Sequence, residues 1–299
     1  MVMTRVNETM SQWLATICGR STENFFDLAT KETKGRRYPW AVSIMLDGKN
    51  KLGGTIISPY HILTAAHGFV SFATFDQNPC VIRRYRRPGE IRQRVVAIGS
   101  NCVRGYSPSL PNHPDCNKTD VTYAKIKTVY VDSDFVLRGC AGGHDWAIVE
   151  LKNPLTFDSK IQPICLPFLN QGVNDGLTVV SWGKRNIFDD AGPLLHKIPM
   201  QHNPSCTPPW SDEMPTNLPD YVCAKAIDPS NPDSPRTCHG DSGAGLEQRD
   251  YYGIATLVGI TSFGSRGCPP NELARFTRLS RYLHDICYST GVCYTVHQE

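Results

Sequence analysis

The side chain best placed to act as a nucleophile lies in Cys238-His239-Gly240-Asp241-Ser242-Gly243-Ala244-Gly245. Glycines around Ser242 allow a turn tight enough to bring the backbone N–H groups of Gly240 and Ser242 toward one point, where they could stabilise a developing oxyanion. A hydroxyl is a weak nucleophile until a base takes its proton, and the base must be held by a third group. His67 ends the apolar run Leu63-Thr64-Ala65-Ala66, and Asp145 opens Trp146-Ala147-Ile148-Val149-Glu150-Leu151 after Gly142-Gly143-His144. Each has an ordinary reading on its own: a Gly-Asp-Ser-Gly string suits a turn, a His at a strand end suits packing, and an Asp before a strand suits a turn. Together they supply nucleophile, base and orienting carboxylate, the set needed for acyl transfer through a covalent intermediate.

Positioning three such residues falls to the rest of the 299-residue chain, which is long enough for one large or two small domains. Only 20% of residues are charged, and 24 glycines and 22 prolines favour many short strands joined by turns. Strand signals run over Tyr38 to Leu46, Gly53 to Ser58, His61 to His67, Arg94 to Ile98, Asp145 to Leu151, Leu177 to Trp182, Tyr221 to Ala224, Gly253 to Phe263 and Ala274 to Thr277. Residues 71 to 125, rich in Arg, Pro, Asn and Gly, read mostly as insertion or surface loop. Leu279, Leu283 and Ile286 fall at helical spacing, so a terminal helix is expected over about 278 to 288. Residues 1 to 37 read as a polar leader with Cys18 its anchor, and 291 to 299 as a tail.

A net charge of +3 gives no footprint for nucleic acid. Twelve cysteines without paired C-x-x-C spacing point to disulfides in an oxidising compartment, not to zinc or another metal, and hence to a secreted protein. The sequons Asn7-Glu8-Thr9 and Asn117-Lys118-Thr119 are compatible with a secreted glycoprotein. Met1 to Ile17 contains no signal-type apolar run, and no stretch reaches the roughly 18 apolar residues that span a membrane. A cytosolic hydrolase with free thiols is the alternative that this opening leaves in place.

The order His67, Asp145, Ser242, together with Pro39-Trp40-Ala41-Val42-Ser43, Ile161-Gln162-Pro163-Ile164-Cys165-Leu166-Pro167, Ser181-Trp182-Gly183 and Gly259-Ile260-Thr261-Ser262-Phe263-Gly264, resembles the chymotrypsin-like (trypsin family) serine proteases over roughly residues 38 to 290. The ending Ile286-Cys287 to Gly291-Val292-Cys293 is similar to the trypsin-like group expanded in nematodes. The resemblance implies an all-β fold of two six-stranded antiparallel barrels, about 38 to 155 and 156 to 278. It implies that Ser242 attacks, His67 carries the proton, Asp145 orients the imidazole, and the Gly240 and Ser242 amides bind the oxyanion. It implies no cofactor, a monomer acting on proteins or peptides, and partners in an activating protease and a proteinaceous inhibitor. It also implies the pairs Cys18 with Cys165, Cys206 with Cys223 and Cys238 with Cys268. Proximity adds Cys287 with Cys293, while Cys80, Cys102, Cys116 and Cys140 leave three connectivities, of which Cys102 with Cys116 and Cys80 with Cys140 is the expected one.

Departures from the family pattern carry their own expectations. The cysteine pair that usually closes the histidine loop is replaced by Leu52 and Gly68, so packing must hold that loop. His67 and Asp145 are 78 positions apart, roughly thirty more than in the family pattern, and the surplus includes Arg83-Arg84-Tyr85-Arg86-Arg87. That cluster suits a solvated loop, a self-cleavage site or an exosite for an acidic partner. Where trypsins carry an aspartate six residues before the nucleophile, this chain has Arg236, flanked by Thr237 and facing Ser262, Phe263, Gly264 and Ala274 as pocket-wall residues. A buried guanidinium there favours an acidic substrate residue, or a small one if Arg236 folds across the pocket; turned outward or paired with Asp233 or Glu272, it favours neither. No Ile-Val-Gly-Gly occurs about twelve residues before Pro39, so Asp241 has no evident amine partner. A homologue that binds without turnover is therefore the competing functional reading.

Overall fold

The computed structural model describes residues 3–21, 38–72, 81–103, 121–138, 142–188, 190–206, 219–264, 267–271 and 273–296. Six strands close the first barrel: β1 (Ala41–Leu46), β2 (Lys49–Ile56), β3 (His61–Thr64), β6 (Val95–Ile98), β7 (Thr122–Val131) and β8 (Ala147–Leu151). Six more close the second: β9 (Gly176–Ser181), β10 (His196–His202), β11 (Tyr221–Ala226), β12 (Gly245–Arg249), β13 (Ala255–Phe263) and β14 (Ala274–Arg278). All pairings within the barrels are antiparallel. Full closure leaves neither sheet an open edge. A short hairpin of β4 (Val70–Phe72) and β5 (Ile82–Tyr85) stands apart and precedes the five-residue helix α2 (Pro88–Arg92).

The strands form where β-branched and aromatic residues alternate or cluster. β8 is buried along its whole length, and its register against β3 pairs Thr64 with Ala147, setting the ends of the His67 and Asp145 runs side by side. Residues 71 to 125 hold more than the one strand expected over Arg94 to Ile98, which is β6. β5, α2 and the first residues of β7 lie there too, and β7 forms a barrel wall. β7 shows exposed residues among half-buried ones, so its sequence lacks the continuous apolar run that marks β8. β10 escaped detection because Pro199 interrupts it, yet it pairs with both β9 and β11.

Both ends of the chain belong to the packed body. α1 (Glu8–Ile17), capped by Asn7 Oδ1 accepting from Met10 N at 2.8 Å, buries Leu14 completely, and Met3, Ser11 and Cys18 are buried as well. Cys293 N donates to Ser11 Oγ at 2.8 Å, and Val6 N donates to the Thr290 carbonyl at 2.8 Å. The polar leader is thus anchored at more points than Cys18, and Val292, Cys293 and Tyr294 of the tail are buried too. Leu279, Leu283 and Ile286 are buried as their spacing requires, but 279–281 form a single 3-10 turn and α4 spans Leu283–Thr290.

The described disulfides are Cys18–Cys165, Cys206–Cys223, Cys238–Cys268 and Cys287–Cys293. Cys102 is also disulfide-bonded, while Cys80, Cys116 and Cys140, and with them the expected pairings, lie outside the described residues, as does Asn117. No helix among the described residues is long and apolar enough to cross a membrane, and none of their His, Cys, Asp or Glu clusters could hold a metal ion.

Candidate active site

The three chemistry-bearing residues come from three separate elements that meet where the barrels touch. His67 lies in a 3-10 turn, Ala66–Phe69, immediately after β3. Asp145 immediately precedes Trp146 and β8, held in a turn in which His144 takes a left-handed φ of 63° and donates its N–H to Asp220 Oδ2 at 2.8 Å. Ser242 lies in the turn before β12, with Gly240 at φ 95° and Gly243 at φ 80°. Its carbonyl accepts Gly53 N at 2.8 Å, which locks the turn onto β2.

Asp145 is fully buried and saturated. Its Oδ2 faces His67 Nδ1 at 2.7 Å, and its Oδ1 accepts the His67 backbone N–H at 2.8 Å. Ser262 Oγ donates to Oδ2 at 2.6 Å and Thr277 Oγ1 to the Asp145 carbonyl at 2.9 Å, so two strands of the second barrel grip a residue of the first. Burial lowers the affinity of His67 for a proton, but the charge and hydrogen bond of Asp145 outweigh it, leaving the His67 pKa raised above its ordinary value. Phe263 stacks on the imidazole, centroids 5.6 Å apart.

One cleft of about 220 Å³ is lined by His67, Ser242, Thr237, Ser262, Phe263 and Gly264. The sequence placed Ser262 on the pocket wall, and it does border the cleft, but its hydroxyl is spent on Asp145. Behind the cleft lies a space of only about 20 Å³, room for roughly one water, bordered by Arg236, Ala274 and Leu273. Arg236 directs its Nε to the Cys268 carbonyl and its Nη1 to the carbonyls of Pro232 at 2.7 Å and Ser234 at 3.0 Å. The internal pairing of Arg236 therefore goes to backbone carbonyls and not to Asp233; Glu272 lies outside the described residues.

Two residues that sequence reasoning passed over shape the turn. Buried Asn50 accepts from Ser43 Oγ at 2.6 Å and donates to the Gly240 carbonyl at 2.9 Å. Lys184 N donates to the His239 carbonyl at 2.8 Å. Because a trans peptide points its C=O and N–H in opposite directions, that bond turns the Gly240 N–H away from Lys184. Nothing local marks Asn50 in the sequence, since its partner is 190 positions away. The histidine loop is held by packing: a Cβ on Gly68 would lie 2.0 Å from Leu52 Cδ1, so Leu52 fills the space over that loop. Arg86, the residue after β5, adds its N–H to the Phe69 carbonyl at 2.8 Å and its Nε to the Gly68 carbonyl at 3.1 Å.

Within the basic cluster Arg84 pairs with Glu90 at 2.8 Å and Arg86 approaches it at 3.9 Å, so two of its four arginines are engaged internally.

A family model described as Trypsin matches residues 28–286. Transmembrane protease serine 11C of Mus musculus is 27% identical over 93% of this chain, Ovochymase-2 of Mus musculus 27% over 88%, and CLIP domain-containing serine protease B15 of Anopheles gambiae 26% over 85%. The aligned regions span 58%, 40% and 66% of those relatives' lengths. With a Gly-Asp-Ser-Gly turn, a hydrogen-bonded His–Asp pair and two closed barrels, the chain belongs to the trypsin family of serine proteases.

Proposed function

We propose that this chain is a secreted serine endopeptidase that hydrolyses peptide bonds through an acyl-enzyme on Ser242. His67, neutral at Nε2, takes the Ser242 proton as the hydroxyl attacks and returns it to the leaving amine. Asp145 fixes the imidazole tautomer and stabilises the imidazolium. The amides of Gly240 and Ser242 receive the tetrahedral oxyanion, each contributing about 3 kcal/mol. The observation that carries this reading is the 2.7 Å His67–Asp145 contact opening onto the same cleft as Ser242.

The substrate residue preceding the cut is small and uncharged in this reading, not Lys or Arg. What supports this is that Arg236 and Ala274 border the small space behind the cleft, the Arg236 guanidinium bound to three carbonyls, while Phe263 lines the cleft itself. An acidic residue gains less than a free guanidinium would offer, because the donors of Arg236 are already directed into the protein. Four described disulfides and a bonded Cys102 support an oxidising, extracellular setting. The catalytic unit covers 38 to 290, with 1 to 37 a leader cut by an activating protease, and a proteinaceous inhibitor would occupy the same cleft as a monomer's protein substrate.

A fluorophosphonate probe tests the chemistry: the protein labels, with or without limited proteolysis of residues 19 to 37, and Ser242→Ala does not. Absence of labelling under every condition overturns the reading in favour of a binding homologue. A peptide library then reads specificity, and efficient cleavage after Lys or Arg defeats the pocket assignment.

A further inference from the structure

The turn that presents Gly240 depends on where the Asp241 side chain goes, because the two residues share a peptide bond. Asp241 points into the protein and is fully buried. Its Oδ2 accepts Cys238 N at 2.8 Å and its Oδ1 accepts Gly183 N at 2.9 Å. A Cβ at Gly183 would lie 2.1 Å from Oδ1, so this seat exists only because residue 183 is glycine. These amides, and the Ser181 hydroxyl that also favours the ionised form, are all neutral, which leaves a buried carboxylate without a compensating charge. Among the described residues one basic side chain comes within 4 Å: His196 Nε2 stands 3.9 Å from Oδ1. That nitrogen is itself buried without a hydrogen-bond partner. A buried carboxylate and an imidazole nitrogen without a hydrogen-bond partner thus face each other 3.9 Å apart.

The placement has a structural logic. His196 opens β10 and pairs directly with Ser181 of β9, and two residues later the same strand delivers Gly183. One strand pair therefore presents both the amide and the ring to Asp241. Arg185 is the charged group whose field lowers the proton affinity of His196, and a hydrogen bond to the Leu194 backbone acts in the opposite sense. Burial pushes Asp241 up to about 7, and burial together with Arg185 pushes His196 down to about 4.

We propose that His196 is a positioning residue that holds Asp241 in its seat, and through it the Gly240 amide, from within the second barrel. This rests on the reading of Ser242 as nucleophile. It deepens that reading by assigning Asp241 a partner inside the fold that requires no amine supplied from residues 19 to 37.

The test uses the intact chain and the chain cleaved within residues 19 to 37, both normalised by fluorophosphonate titration of Ser242. A peptide anilide with Ala before the scissile bond is the substrate. His196→Leu is expected to lower kcat about tenfold or more with KM little changed, since an oxyanion donor acts in the transition state. His196→Gln, which keeps a donor, recovers part of the loss. His196→Leu in an Asp241→Asn background adds little, since the two act as one unit. A wild-type kcat in His196→Leu, or losses that simply add, overturns the proposal. A second readout is independent of activity: the His196 ring protons, followed by NMR, titrate at a different pH in Asp241→Asn than in the parent protein. An unchanged His196 titration overturns the proposal even if the protein proves inactive, whereas failure of all fluorophosphonate labelling strikes only at Ser242.

Discussion

His67 and Asp145 set how the molecule responds to pH. In the proposed mechanism His67 must be neutral to accept the Ser242 proton, and its folded pKa lies above the ordinary value of 6.5. Activity is therefore absent on the acid side and rises with pH through that raised value; a pH–rate profile of kcat/KM with its midpoint at or below 6.5 contradicts this. The stability contribution has the opposite sense: the His67–Asp145 interaction stabilises fully below the unfolded pKa and is lost as pH rises through the folded one. Ser262→Ala removes one donor from Asp145 Oδ2, and a loss of about 1 to 2 kcal/mol in transition-state stabilisation is expected, read as lower kcat with a displaced acid limb. At this scale the sequence was legible where chemistry is local. Glycines around a serine, and a histidine at the end of an apolar run, announce themselves. The contact of Ser262 with Asp145 spans 117 positions and that of Asn50 with Gly240 spans 190, and neither leaves a periodic trace.

Among the elements, the histidine loop shows how a missing crosslink is replaced. Where Leu52 covers Gly68 and Arg86, the residue after β5, bonds to the carbonyls of Gly68 and Phe69, dispersion and two hydrogen bonds restrain a segment that a disulfide would otherwise close. Leu52 is 2% exposed, so Leu52→Ala should destabilise the fold by about 2 to 5 kcal/mol. Thermal or denaturant unfolding checks this, and a change below 1 kcal/mol contradicts it. The loss of both cysteines was visible in the sequence, as was the need for packing. The hairpin that assists was not, because the Ile82–Tyr85 strand is made largely of exposed residues whose only apolar signal is weak.

For the whole molecule, the barrels act as one body because polar contacts cross between them. Trp40 Nε1 donates to Glu247 Oε2 at 2.8 Å, and Ser262 and Thr277 hold Asp145. The amino-terminal segment adds a third component: Thr4 N and Lys127 Nζ both donate to Glu150 Oε1, at 2.9 and 2.8 Å, and Cys18–Cys165 fixes its far end. Cleavage between residues 19 and 37 should therefore leave residues 1 to 18 on the body, and Leu14→Ala should cost about 2 to 5 kcal/mol as a core residue does. Two bands on a reducing gel and one on a non-reducing gel check the first; an unaltered melting temperature for Leu14→Ala contradicts the second. Low overall hydrophobicity hid this arrangement, since α1 buries only Ser11 and Leu14 of its ten residues.

The three carbonyls that hold Arg236 bear on how the molecule lives with itself. A protease at high local concentration is its own most abundant substrate, and this one carries 31 Lys and Arg residues, with Arg83, Arg84 and Arg87 exposed. Under the specificity proposed above, a site backed by a guanidinium already bound to carbonyls accepts none of them. A second expected outcome of that proposal is that the protein resists self-digestion at its basic loops and binds amidine compounds that imitate arginine weakly, whereas autolysis after Arg83, Arg84 or Arg87 contradicts it.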